Sequence, residues 1–262
     1  MFPPKGDGLR QLAESQAIQM HNLHVCDALR DEQFHAISLC DHLSTEDAIY
    51  YARYGLGRRA SLMWNAYRSV IYTVHPERDQ PLDINQAKSV SRDLNIIYIN
   101  LVGFLDNLAW CLRSERGSTA VKALPQSRVG LFNKRFSNHS CFEGLLPALE
   151  PLSAWFIELR QRRDPAAHRI PLSIPPAALS PKEQKHYSEI EAEIAKKFRE
   201  GSYEEIDGLR EQQSKIGKLL PVFIHHPREA YNPFYPTISQ DVANMIKIAG
   251  TVRKFIIEVP AK

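Results

Sequence analysis

A mainly α-helical protein is predicted by three observations. Apolar residues recur at steps of three and four through several long segments, the signature of a 3.6-residue period. Helix start and stop signals bracket those segments, as at Ser44-Thr45-Glu46-Asp47, His75-Pro76 and Asp83-Ile84-Asn85. Only two short runs, Arg169 to Pro175 and Leu219 to His226, have an extended character. The expected architecture is one domain over residues 1–262: a bundle of four or five core helices with an inserted element at 169–226. That element reads as two strands forming a hairpin-like pair and carrying a helical hairpin between them.

The elements follow in order. Leu9, Leu12, Ile18, Met20 and Leu23 fit one or two helices in the first 40 residues. The hydroxyl cap and acids at 44–47 open a helix to about Thr73, carried by Ile49, Ala52, Leu56, Ala60, Met63, Tyr67 and Ile71. A helix from Asp83 to about Arg113 is apolar almost all round and so is central. Asp93, Asn100 and Asn107, seven residues apart, give it one polar stripe, with Gly103 between the last two. Residues 114 to 148 are polar and broken, read as irregular or short helical turns. Leu149 to Arg162 is helical again, with Leu152, Trp155, Phe156 and Leu159 on one side. The prolines of Arg169-Ile170-Pro171-Leu172-Ser173-Ile174-Pro175 exclude a helix interior and give an edge-type strand. Pro181 to Phe198 and Tyr203 to Lys218 are charged and helical, and Ile238 to Ile257 closes the chain as an amphipathic helix.

Composition excludes more than it selects. A net charge of +3 with 44% apolar and 24% charged residues is ordinary for a soluble protein, so any phosphate-binding surface has to be local. Cys26, Cys40, Cys111 and Cys141 form no C-x-x-C pair, which fits reduced thiols and a cytoplasmic location. The start MFPPKGDG lacks the apolar run of a signal peptide. The most hydrophobic window, Leu94 to Leu112, is interrupted by Asn95, Asn100, Asp106 and Asn107, so a buried core helix is expected and no membrane association. His21, His24, Cys26, His35, Cys40 and His42 crowd together without the usual zinc spacings. Gly55 and Gly57 lack the lysine and strand of a phosphate loop. No metal or cofactor is expected. Tyr50, Tyr51, Tyr54, Trp64, Tyr67, Trp110 and Trp155 sit at helical spacing and read as core or a dimer interface rather than base-stacking platforms.

The stretch with most chemistry is Arg163-Asp164-Pro165-Ala166-Ala167-His168. A guanidinium can manage phosphate charge and an imidazole can move a proton near neutral pH. Arg160, Arg162 and Arg169 add local positive charge that would help RNA phosphates approach. The spacing itself is cheap. With 20 arginines and 10 histidines, a histidine follows an arginine five to seven places on about twice by chance. Arg30 to His35 repeats both the spacing and the aspartate, with Phe34 and Ile37 expected as core contacts. In an unbroken helix, five residues turn through about 500°, leaving the pair roughly 140° apart. Pro165 is expected to break the helix at Asp164 and restart it, with Asp164 as N-cap, turning His168 towards Arg163. Without that break, the motif reads as an arginine and a histidine satisfying helix ends.

RDPAAH resembles the R-x4-H signature of the HEPN superfamily, whose members often carry Asn, Asp or His after the arginine, as Asp164 stands here. GFLDNLAW at 103–110, followed by RDPAAHRIPL, is similar to a larger bacterial group of HEPN-like proteins. The resemblance covers residues 45 to 175 plus the last helix; the inserted hairpin departs from the compact members. It implies a helical domain that forms a homodimer with the motif at the interface, and metal-independent endoribonuclease activity. His168 would then exchange protons with a ribose 2′-hydroxyl or the leaving oxygen, and Arg163 would stabilise the phosphorane. Asp164 would orient one of the two, and Asn100 or Asn107 would supply a polar wall. The products would be a 2′,3′-cyclic phosphate and a 5′-hydroxyl. The alternatives are a non-catalytic HEPN-like module that binds RNA, a nucleotide or an antitoxin-like protein partner, and a helical interaction scaffold.

Overall fold

The computed structural model describes residues 5–226 and 230–258, with side chains from residue 11 onward, so Leu9 lies outside the described side chains. The described residues are mainly helical, with a two-stranded antiparallel sheet. The first 40 residues form the single helix α1 (Lys5–Leu39). Its buried stripe is Val25, Leu29, Ala36 and Leu39, at steps of four, seven and three. Phe34 and Ile37 lie off that stripe and are 63% and 60% exposed, which corrects their reading as core contacts.

Thr45 caps the next helix through its Oγ1, which accepts from Ala48 N at 3.3 Å. The single helix expected to Thr73 is divided in three: α2 (Glu46–Tyr50), a π-helical segment (Tyr51–Leu56) and α3 (Gly57–Thr73). Packing explains the wider turn. A Cβ on Gly55 would stand 2.5 Å from Asn107 Nδ2 and 3.1 Å from Asn107 Cβ. The π segment therefore lies close against the next long helix, and glycine is what permits it.

That helix, α4 (Ile84–Arg116), opens with a capping box. Asp83 Oδ1 accepts from Asn85 N at 2.8 Å and Gln86 N at 2.9 Å, while Gln86 Oε1 accepts from Asp83 N at 3.2 Å. Spanning about 50 Å at 1.5 Å per residue, α4 packs on α3, α8 (Ser153–His168) and α11 (Thr237–Glu258). By length and composition it could cross a membrane, and 67% of its apolar window is buried inside the protein.

Tyr67 of α3 is wholly buried, and its hydroxyl has no hydrogen-bond partner among the described residues. A buried, unpaired hydroxyl costs about 1–3 kcal/mol. Tyr67→Phe is therefore expected to leave stability unchanged or raise it by about 1 kcal/mol in urea unfolding. A loss of that size would show that the hydroxyl is bound.

Between α4 and α8 the chain makes short turns: α5 (Thr119–Lys122), α6 (Lys134–Ser137) and α7 (Leu146–Leu149), linked by 3-10 segments. Helix α8 starts later than Leu149, after the 3-10 turn Glu150–Leu152 that holds Pro151. It also ends later, running through Pro165 to His168.

Past α8, the two extended runs pair through isolated antiparallel bridges, Ser173 with Ile224 and Ala178 with Lys218. Between them stand α9 (Pro181–Glu200) and α10 (Tyr203–Gln213). Gly201, at φ 74°, ends α9 in the left-handed region that disfavours other residues. The named strands are β1 (Val222–Phe223) and β2 (Asn232–Pro233), so the ladder includes a partner that sequence reading missed. Asn95 ties the element to α4, accepting from Leu172 N at 2.9 Å and donating to Leu172 O at 2.8 Å.

Candidate functional site at the arginine seam of α8

The break expected at Asp164-Pro165 does not occur, and this correction controls the site. Three features accompany the unbroken α8. Arg160 grips the Asp164 carboxylate from one turn back, with Nε at 3.0 and 2.9 Å from its two oxygens and Nη2 at 2.8 Å. That occupies the carboxylate which was expected to cap a new helix. Leu159 is fully buried and Ala166 packs on the core, so both sides of the proline are anchored. Pro165 offers no N–H to the carbonyl of Gln161, an exposed residue, but its own carbonyl closes the helix end, where Arg169 N and Ile170 N both donate to it at 2.8 and 3.0 Å. An interior proline costs about 3 kcal/mol; tertiary packing and the ion pair offset it.

Because α8 is continuous, Arg163 and His168 remain roughly 140° apart around its axis. His168 is exposed in the last turn, with no hydrogen-bond or ion-pair partner among the described residues. One chain does not bring the pair together.

Arg163 instead joins a seam of charge between α3, α4 and α8. Its Nη1 donates to Asp164 Oδ1 at 3.1 Å, and its Nε is buried without a partner among the described residues. Burial would raise the Asp164 carboxyl, but hydrogen bonds and charge from Arg160 and Arg163 outweigh it and hold the group below its ordinary value. Facing them on α4 is Asp106. Burial pushes its carboxyl up, and Arg163, Arg160 and Arg59 offset only part of the rise. Arg59 of α3 is pushed down, mainly by burial and further by Arg163, while Asp106 opposes the shift. The seam thus holds three guanidiniums against two carboxylates.

Asn100 is buried and belongs to this seam: its Oδ1 accepts from Arg59 Nη1 at 3.0 Å and its Nδ2 donates to Ile96 O at 2.8 Å. Arg59 lies across Gly103, where a Cβ would stand 2.4 Å from the guanidinium carbon. Asn107 is half-buried one turn on, against Gly55. The polar stripe of α4 therefore does border Arg163, with Arg59 between. Beside it, Asp106 and Arg160 line a cleft of about 230 Å³ floored by Phe132 and Phe156.

The other arginines divide. Arg160 and Arg169 are exposed. Arg162 points inward and is removed from any RNA-facing set: it is buried, pairs with Asp241 at 2.8 Å and lies 5.9 Å over the Tyr98 ring. On a helix, neighbours one residue apart point about 100° apart, so four clustered arginines cannot share a face.

Sequence reading missed Asp106 as a site residue and Asp241 altogether. Each is a carboxylate set in an apolar helix, and buried carboxylates are kept only where something answers the charge. The Arg30 to His35 copy is structural: Glu32, between them, is buried and paired with Arg253 of α11. When the chain was compared with protein-family models, characterised proteins and solved structures, none matched.

Proposed function

We propose that this chain is a HEPN-like helical protein that binds RNA phosphates at the arginine seam, and that it cleaves RNA only as a pair of copies. In this reading α1, α3, α4, α8 and α11 are the HEPN-like bundle, and residues 169–226 are the inserted element. The carrying observation is the Arg59, Arg160 and Arg163 cluster against Asp106 and Asp164, three cations to two carboxylates, with Arg59 and Arg163 half-buried and Arg160 exposed. Phosphate recognition favours such partly desolvated guanidiniums, which offer several donors in a fixed plane. His168 is exposed, so a substrate can reach its imidazole. Since Arg163 and His168 diverge on one helix, the phosphate held by Arg163 is served by His168 of a second copy. The four free cysteines accord with a reducing, cytoplasmic setting, and a protein partner of the antitoxin kind would act by covering the seam.

The experiment uses unstructured single-stranded RNA and the full chain in EDTA. Arg163→Ala is expected to weaken binding across sequences and to lower the salt slope by about one. His168→Ala is expected to reduce cleavage by about 10²–10⁴-fold. Mixing the two variants is expected to restore part of the activity. No RNA binding by the wild type, or equal binding by Arg163→Ala, would sink the proposal. The unbroken α8 also favours a second reading, in which the seam binds RNA or a nucleotide without turnover. Tight binding, with no cleavage from any combination of chains, would identify it.

A further inference from the structure

We infer that the π-helical segment beside the seam carries a base-stacking platform for single-stranded RNA. The inference extends the RNA-binding reading above. The sequence places Tyr50, Tyr51 and Tyr54 on one stretch of helix, where they read as core or a dimer interface; the structure takes Tyr50 and Tyr54 out of the core. Tyr50 is 60% exposed and Tyr54 44% exposed. Their ring centroids are 5.5 Å apart, and Tyr50 meets Tyr51 edge-on at 5.7 Å. Tyr51 in turn stacks on Trp110 of α4, at 5.6 Å and 24° between planes. Four rings thus form one continuous group, anchored on its inner side and open on its outer side.

Cations border the rings. Arg58 lies over one face of Tyr54, 4.9 Å from the ring centroid, Arg113 lies over Trp110 at 5.0 Å, and Arg53 is exposed between the tyrosines in sequence, which leaves Tyr50 as the most open ring. Aromatic faces flanked by guanidiniums suit a single strand, since every base offers a π-face and every linkage a negative charge. An ordinary apolar protein interface does not require the charge. Glu46 and Asp47, exposed in the first turn of α2, repel phosphate at one end of the group. A bound strand is therefore directed along α3, towards Arg58 and Arg59.

The platform and the seam share one line of contacts. Tyr51 stacks on Trp110, Gly55 abuts Asn107, and Arg59 covers Gly103 and bonds Asn100. These are successive layers where the α2–π–α3 stretch runs along α4. From Trp110 back to Gly103 is about 10 Å along the α4 axis. The π turn lies between Tyr50 and Arg59 and holds Tyr54 itself, and such turns often occur at functional sites.

The test measures affinity of the full chain for a fluorescein-labelled, unstructured 12-mer RNA by anisotropy, with oligomeric mass followed by light scattering. The double variant Tyr50→Ala/Tyr54→Ala is expected to bind about tenfold or more weakly, and Tyr50→Phe/Tyr54→Phe to bind as the wild type does. Both tyrosines are exposed, so folding is checked simply by circular dichroism. Wild-type affinity in the alanine variant overturns the platform, and so does a change in mass without a change in affinity, which would mark an interface between copies. If Arg163→Ala alone weakens binding, the seam stands and the platform falls. If the tyrosine pair alone matters, the platform stands and the seam reading falls.

Discussion

Asp241→Ala is expected to lower the unfolding free energy by about 3–5 kcal/mol, the cost of leaving a buried charge without its partner. Asp241 is 1% exposed on α11 and answers three donors from two other helices. Arg162 Nη2 and Trp155 Nε1 of α8 each donate to Oδ1 at 2.8 Å, and Tyr98 O–H of α4 donates to Oδ2 at 2.9 Å. Burial pushes its carboxyl up, and Arg162, Trp155 and Tyr98 push back. Truncation removes the acceptor for all three and strands the Arg162 guanidinium in the core. Urea unfolding followed by circular dichroism measures the effect. Asp241→Asn, which keeps the shape and loses the charge, is expected to fall between the wild type and Asp241→Ala. A loss below about 1 kcal/mol for Asp241→Ala would mean that the pair is solvated and that α8 is not pinned here. Replacing Arg162 and Asp241 together with well-packed apolar residues is expected to cost far less than either truncation alone, because no orphaned charge remains.

Glu32→Ala is expected to cost about 2–3 kcal/mol, somewhat less than Asp241→Ala because its partner reaches water. Glu32 is 1% exposed on α1 and forms a two-point pair with Arg253 of α11, with Arg253 Nη2 at 3.0 Å from Oε1. The Arg253 side chain keeps 16% of its exposure and can partly rehydrate. His35 Nδ1 lies 3.3 Å from the same Glu32 oxygen and 3.2 Å from Arg253 Nη2. This cluster sits in the second copy of the arginine–histidine spacing, and it staples α1 to α11. Glu32→Ala is therefore expected to reduce stability while leaving the RNA binding proposed for the seam unchanged in the folded protein. A selective loss of binding at unchanged stability would instead move the functional site to Arg30 and His35.

Much of the helical content was legible because a 3.6-residue period is written locally. The caps at Thr45 and Asp83 use side chains within three residues of the N–H groups they satisfy. The site was legible only in part. Arg163 and the α4 stripe at Asn100 and Asn107 are visible as residue types, but their junction runs through Arg59, which is far away in sequence. Arg162 looked equivalent to Arg163 because composition carries no facing direction. Tyr50 and Tyr54 read as core or a dimer interface because spacing alone does not show which face of the helix meets α4, a contact made by Gly55 against Asn107.

The sequence by itself determined which segments are helical, where the strongest caps lie, and that an arginine and a histidine stand five residues apart near the end of α8. Only the tertiary structure decided that α8 passes unbroken through Pro165. A proline's preference is a local energy of about 3 kcal/mol. It was opposed by the Arg160–Asp164 pair, by burial of Leu159 and Ala166, and by the Arg162–Asp241 anchor, the last a contact between residues 79 positions apart. Contacts of that range have no local period, so they become visible only when the chain is folded.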